Sequence, residues 1–176
     1  MSFIVSLIDQ CSRLSGRLAA WGTTILVILI CSDVFMRYFL NISHVWVTEL
    51  ECHLFALIFL IGAAYTLNKD AHVRVDLFYT NFSERKKAFI NLLGVLLFLL
   101  PWCLIVIRSS IKYAKSSYRI NETSPDPGGL PALWIIKFMI VLAFLLLILE
   151  ALSLFIRSLQ VIQRKQLTVF PNSDED

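Results

Sequence analysis

Long apolar blocks alternate with short polar stretches along this chain. The blocks cover residues 18–40, 46–66, 88–107 and 133–156, and each holds 20 to 24 residues. A helix rises about 1.5 Å per residue, so each block reaches the roughly 30 Å of a hydrocarbon core. Together they take half of the 176 residues, which leaves little for a soluble domain. The pattern predicts an all-α membrane protein, a single domain over residues 1–176 with four transmembrane helices. The first block is longer than the apolar region of a signal peptide, and no small-residue cleavage site follows it, so it is expected to remain as a span.

The segment before the first block has its own pattern. Phe3, Ile4, Leu7, Ile8, Cys11, Leu14 and Leu18 recur at helical spacing, with Ser2, Ser6, Asp9, Arg13 and Arg17 mostly between them. This predicts an N-terminal amphipathic helix in the membrane interface. The simpler alternative is an extension of the first span. Ser83 reads as an N-cap for the third span, with Glu84 in its first turn. The Pro/Gly-rich run from Ser124 to Pro131 predicts a turn, and Pro131 suits the first turn of the fourth span. Pro101, inside the third span, predicts a kink.

Charge sets an expected orientation. Arg13 and Arg17, then Lys69, Arg74, Arg85, Lys86 and Lys87, then Arg157, Arg164 and Lys165 fall on one side of a four-span protein. The other side carries Arg108, Lys112, Lys115 and Arg119. The imbalance predicts both termini in the cytoplasm. Composition agrees with a membrane chain: 57% hydrophobic and 16% charged residues, with a formal net charge of +3. A charge that small points to no nucleic-acid partner.

Motifs for chemistry are scarce. Cys11, Cys31, Cys52 and Cys103 form no close pair, and His44, His53 and His72 place only one imidazole at depth. No phosphate-binding loop, zinc motif or nucleophile elbow is present. The expectation is therefore no catalytic, metal or cofactor site in this chain. What stands out is ionisable residues within the blocks, which are costly in lipid unless paired or hydrated. They are Asp33, Arg37, Glu49, Glu51, His53, Lys137 and Glu150. Counting from a turn near Ser43 puts Arg37 level with Glu49, and Asp33 level with His53 one turn deeper. Lys137 falls about 9 Å below the same boundary. A polar network of Asp33, Arg37, Glu49, His53 and Lys137 is predicted in the outer half of the bundle. It reads either as an ion path or as pairing that fixes helix packing. The charges cluster near one face, and Glu150 stands apart toward the other, which favours the packing role.

At these residues the chain resembles the small membrane subunit (DctQ-like) of tripartite ATP-independent periplasmic (TRAP) transporters. Arg37 ends the first span, and Trp46-Val47-Thr48-Glu49-Leu50 opens the second. Leu54-Phe55, Leu60-Ile61-Gly62-Ala63-Ala64 and His72-Val73-Arg74-Val75-Asp76 follow in order. The chain departs from the usual pattern at Glu51, where a small or neutral residue is more usual, and at Cys52, where relatives often carry a basic residue.

The resemblance implies a bacterial inner-membrane protein without enzyme activity. In such systems a periplasmic binding protein captures an organic acid, a carboxylate or sulfonate. A large multi-span subunit carries it by an elevator-like motion coupled to sodium, so sodium belongs to that subunit. The small subunit is a scaffold among membrane lipids that also helps dock the binding protein. Arg37 and Glu49 are then expected to lock the first two spans, with Lys137 as a third member. Trp46 reads as an outer-interface anchor. His72 and Asp76 read as ordering the inner loop or touching the large subunit. Arg108, Lys112, Lys115 and Arg119 are candidates for gripping the binding protein, against the plainer reading of a solvated or headgroup-binding face. Two other classes compete: a stand-alone four-helix membrane enzyme or redox protein, and a small homo-oligomeric transporter.

Overall fold

The computed structural model describes residues 2–69 and 82–163, with side chains from Val5 onward. Helix α1 spans Ser2–Phe39 and α2 spans Val45–Asn68. Helix α3, Glu84–Gly94, passes through a π-helical turn, Val95–Leu99, into α4, Leu100–Arg119. Helix α5 spans Trp134–Ile162. Four helical stretches, Val5–Phe39, Val45–Asn68, Glu84–Arg119 and Trp134–Ile162, are long and apolar enough to cross a membrane. Lipid offers no hydrogen bonds to a backbone, so a helix that pairs every amide internally is the natural spanning element. Polar side chains on the exposed face of α1 follow the same logic. Thr23 and Ser32 donate to the carbonyls of Ala19 and Ile28, at 2.9 and 2.8 Å.

The N-terminal segment is not a separate interfacial helix. It continues without a break into α1, as the alternative reading allowed. Part of its polar face turns inward: Ser12 and Ser15 are buried and Asp9 and Arg13 half-buried, whereas Ser6 and Arg17 are exposed along with Leu7, Leu14 and Leu18. The Ser12 hydroxyl donates to the Ala64 carbonyl of α2 at 3.2 Å. The amphipathic pattern therefore reflects a helix seated against a partner by its polar face. At 38 residues, α1 is about 57 Å long, well beyond what a bilayer core requires.

Helix α5 sits at the centre of the bundle and touches α1, α2, α3 and α4. Small residues bring the backbones close: Ala64, Ala88, Ala114, Ala143 and Ala151 are all buried. Between helices in lipid, such close packing replaces the hydrophobic drive available in water. Gly16 marks the tightest approach of α1 to α2, since a Cβ there would lie 2.6 Å from Cγ of Tyr65. Leu67, Ala88, Val95, Ala151, Leu154 and Val161 form an apolar cluster joining the far ends of α2, α3 and α5.

Pro101 acts through the π turn just before it. Proline has no N–H for the carbonyl of residue 97, and the widened turn at Val95–Leu99 takes up the misfit. Ser83 holds the N-cap position of α3 and Glu84 lies in its first turn, as expected; the Ser83 side chain makes no capping bond, and Glu84 pairs with Lys87 at 3.0 Å. Two other expectations need correction. Pro131 lies in the loop, three residues before α5 begins at Trp134. Arg157 lies in α5 and is buried, not in a terminal tail. Arg74, Arg164 and Lys165 lie outside the described residues.

Candidate functional site

The ionisable groups of the spans fall into local joints rather than one outer network. The first is within α1. Arg37 donates to Asp33, one turn earlier, and Asp33 is buried while the Arg37 side chain is half exposed. The i,i+4 spacing made this pair legible. It takes the place of the expected Arg37–Glu49 lock.

Glu49 forms the second joint. It stands one turn into α2 and faces the loop of residues 120–133. The Leu130 backbone N–H donates to Glu49 Oε2 at 2.6 Å, and the Ser124 hydroxyl donates to Oε1. The loop is built to present these donors. Ser124 N–H bonds the Leu130 carbonyl, and Leu133 N–H bonds the Glu122 carbonyl, both at 3.0 Å. Gly128 turns the chain at φ 78°, a conformation that glycine adopts without a Cβ penalty. At Gly129 a Cβ would fall 2.8 Å from Glu49 Oε1, so the close approach requires glycine.

Lys137 makes the third joint. Its ammonium bonds Glu122 and lies 3.8 Å from the centre of the Tyr113 ring. The pair ties α5 to the end of α4 and the loop beyond it. The Lys137 ammonium beside it holds the Glu122 carboxyl below the usual carboxylate range. His53 joins none of these bonds among the described residues. It lines a largely apolar cavity of about 330 Å³ with Leu50, Leu54, Leu57, Ile136 and Met139.

A fourth cluster, at the opposite end of the bundle, escaped the sequence reading. Asn68 of α2 donates through Nδ2 to Asp9 of α1 at 3.0 Å and to Glu150 Oε1 of α5 at 2.9 Å. Arg157, two turns beyond Glu150, bonds Asp9. Three helices are thus tied at one point, and Asn68, Glu150 and Arg157 are buried. A signal existed: Glu150 and Arg157 are seven residues apart and share a helix face. Asp9 was hidden because the polar face of its segment was assigned to the lipid interface.

The remaining predicted residues are placed as follows. Trp46 is exposed at the start of α2, its ring 6.2 Å from that of His44. His72 and Asp76 lie outside the described residues. Arg108, Lys112, Lys115 and Arg119 are not in a loop but on α4, all exposed. Their spacing of four, three and four residues sets them along one stripe. The four cysteines are free, with Cys103 buried and the others exposed. Among the described residues no group of three or more His, Cys, Asp or Glu is arranged to hold a metal ion.

The chain was compared with family models, curated proteins and solved structures. Curated proteins and solved structures give no match. The model of the DctQ component of tripartite ATP-independent periplasmic transporters matches residues 26–161. That region contains α2 to α4 complete, the C-terminal part of α1 and nearly all of α5, with the Asp33–Arg37 pair and the two joints that involve the 120–133 loop. The chain belongs to the DctQ family, the small membrane component of TRAP transporters.

Proposed function

We propose that this chain is a static scaffold subunit of a sodium-coupled TRAP transporter for an organic acid. It sits beside a large elevator-type subunit and helps a periplasmic binding protein to dock. The observation that carries this reading is the use made of the polar groups. Glu49, Lys137 and Asp9 each join one element to another. A group that must release and rebind an ion through a transport cycle is poorly served by such engagement. The exterior suits a role beside a partner: Trp21, Phe39, Phe59, Phe98 and Trp102 are all at least 61% exposed. Lipid or an apolar protein surface covers side chains of this kind.

On this reading the chain is one membrane domain of the bacterial inner membrane, with both termini cytoplasmic. The substrate and sodium sites lie in the large subunit, and this chain holds no cofactor. The loop clamped by Glu49 then faces the periplasm. The stripe of Arg108, Lys112, Lys115 and Arg119 offers positive charge on the same half of the molecule, for an acidic patch of the binding protein. Such charges act chiefly on encounter rate.

The test is uptake by proteoliposomes containing the large subunit, with binding protein and a sodium gradient, with and without this chain. Uptake is expected only with it. Undiminished uptake in its absence would overturn the scaffold role, and uptake by this chain alone would favour a homo-oligomeric transporter. Charge reversal at Lys112 and Lys115 is expected to lower uptake at limiting binding protein and to leave it unchanged at saturation. Equal uptake at both concentrations would remove the docking role.

A further inference from the structure

The cluster of Asp9, Asn68, Glu150 and Arg157 leaves two oxygen atoms unaccounted for. Glu150 Oε2 and Asn68 Oδ1 are both buried without a hydrogen-bond partner. The residues that carry them are 2% and 1% exposed. A buried polar atom left unpaired is costly, and more so in a membrane interior. These two atoms are not unrelated. They belong to a carboxyl and a carboxamide already joined by their other atoms, Asn68 Nδ2 to Glu150 Oε1 at 2.9 Å. A carboxylic acid and an amide pair reciprocally: the amide N–H donates to the acid carbonyl, and the acid O–H donates to the amide carbonyl. One half of that pair is present. The two leftover atoms are the kinds the other half requires, and a proton on Glu150 Oε2 would let it form.

We propose that Glu150 is a protonated carboxylic acid whose Oε2–H donates to Asn68 Oδ1, closing a reciprocal acid–amide pair. As a carboxylate, Glu150 would instead set a second acceptor beside the unpaired acceptor of Asn68. The charges around it agree. On α1, Asp9 is engaged by Arg157 of α5, so these two cancel. On the same helix Arg13 is half-buried and Arg17 exposed. From α3, Lys87 pairs with Glu84. Lys69, next to Asn68, and Asn91 of α3 each have a contact of their own. Among the described residues, an ionised Glu150 would add a negative charge that these pairs leave unbalanced, at a residue that is 2% exposed. The orientation of the Asn68 amide is fixed independently, because Nδ2 also donates to Asp9. The inner end of the bundle is therefore a neutral latch made of one ion pair and one acid–amide pair.

The test is infrared spectroscopy of the purified full-length chain in lipid, in deuterated buffer at neutral pH. A protonated buried carboxyl gives a C=O stretch above the amide band. The proposal predicts such a band in the wild type and its loss in Glu150→Gln. Glutamine can make both bonds of the pair, so this variant is expected to melt within a few degrees of the wild type. Absence of the band, or its survival unchanged in Glu150→Gln, would overturn the proposal. Should that variant fail to fold, Glu150→Asp serves instead: a band that shifts supports the assignment, and one that stays in place overturns it.

Discussion

Arg157 is the residue on which the Asp9–Asn68–Glu150 cluster depends most. Its guanidinium meets Asp9, with side chains 8% and 14% exposed. Arg157→Gln strands Asp9 and should cost about 3–5 kcal/mol, the usual penalty for leaving one member of a buried pair. The double variant with Asp9→Asn should recover a good part of that loss. Thermal unfolding in lipid discs measures both, and strict additivity would show that the pair is not coupled. Glu122 gives a pH signature outside the membrane. Beside Lys137, its carboxyl titrates lower in the folded than in the unfolded protein. The unfolded chain then binds more protons in this range, so stability rises with pH. The contribution is complete above the ordinary glutamate value, about 4.3, and is lost as pH falls through the lower folded value. Glu122→Gln should flatten this acid limb of the melting curve; an unchanged limb would exclude the pair as its source. Counting along the chain assigns these residues a depth, but it does not assign their partners. Asp33–Arg37 follows from i,i+4 spacing. Glu49 was matched to Arg37 by depth alone, and depth does not say which way a side chain faces around the helix axis. Nor does it show that a folded loop supplies backbone donors. Asp9 and Arg157, 148 residues apart, were beyond any local pattern.

At the scale of elements, close crossings and loop geometry do most to set the bundle. Gly16→Val should force α1 away from Tyr65 and cost about 1–3 kcal/mol by overpacking. The same change at Gly94, where a Cβ meets nothing within 4 Å, lacks that clash and keeps only the helix-propensity term. Comparing the two melting temperatures separates crowding from propensity; equal shifts would contradict the crowding account. The four spanning elements were legible because twenty apolar residues in a row have few other uses in a protein. Their ends were not. Hydropathy stops where charge begins, whereas a helix stops where its backbone finds other partners. So α4 runs on through Lys112 and Lys115 to Arg119, and α5 runs on through Arg157 to Ile162. The N-terminal segment shows the same limit. An amphipathic pattern reports one polar face and one apolar face, and here Asp9 and Ser12 of the polar face meet α2 and α5.

For the whole molecule, the account rests on the contrast between interior and exterior. The interior brings together small residues and polar groups that join the helices, and the broad exterior is aromatic and aliphatic. The chain belongs to the DctQ family, and on the proposed reading that exterior is what stands against a larger membrane subunit and its lipids. The central claim is that it works as a subunit. Its most direct test is to tag the chain in its native membranes, extract it in mild detergent and weigh the intact complex. The account predicts this 20.1 kDa chain in fixed stoichiometry with a much larger multi-span subunit of the same transporter. Recovery of the chain alone, as a monomer or homo-oligomer, from membranes that also contain that subunit would contradict it.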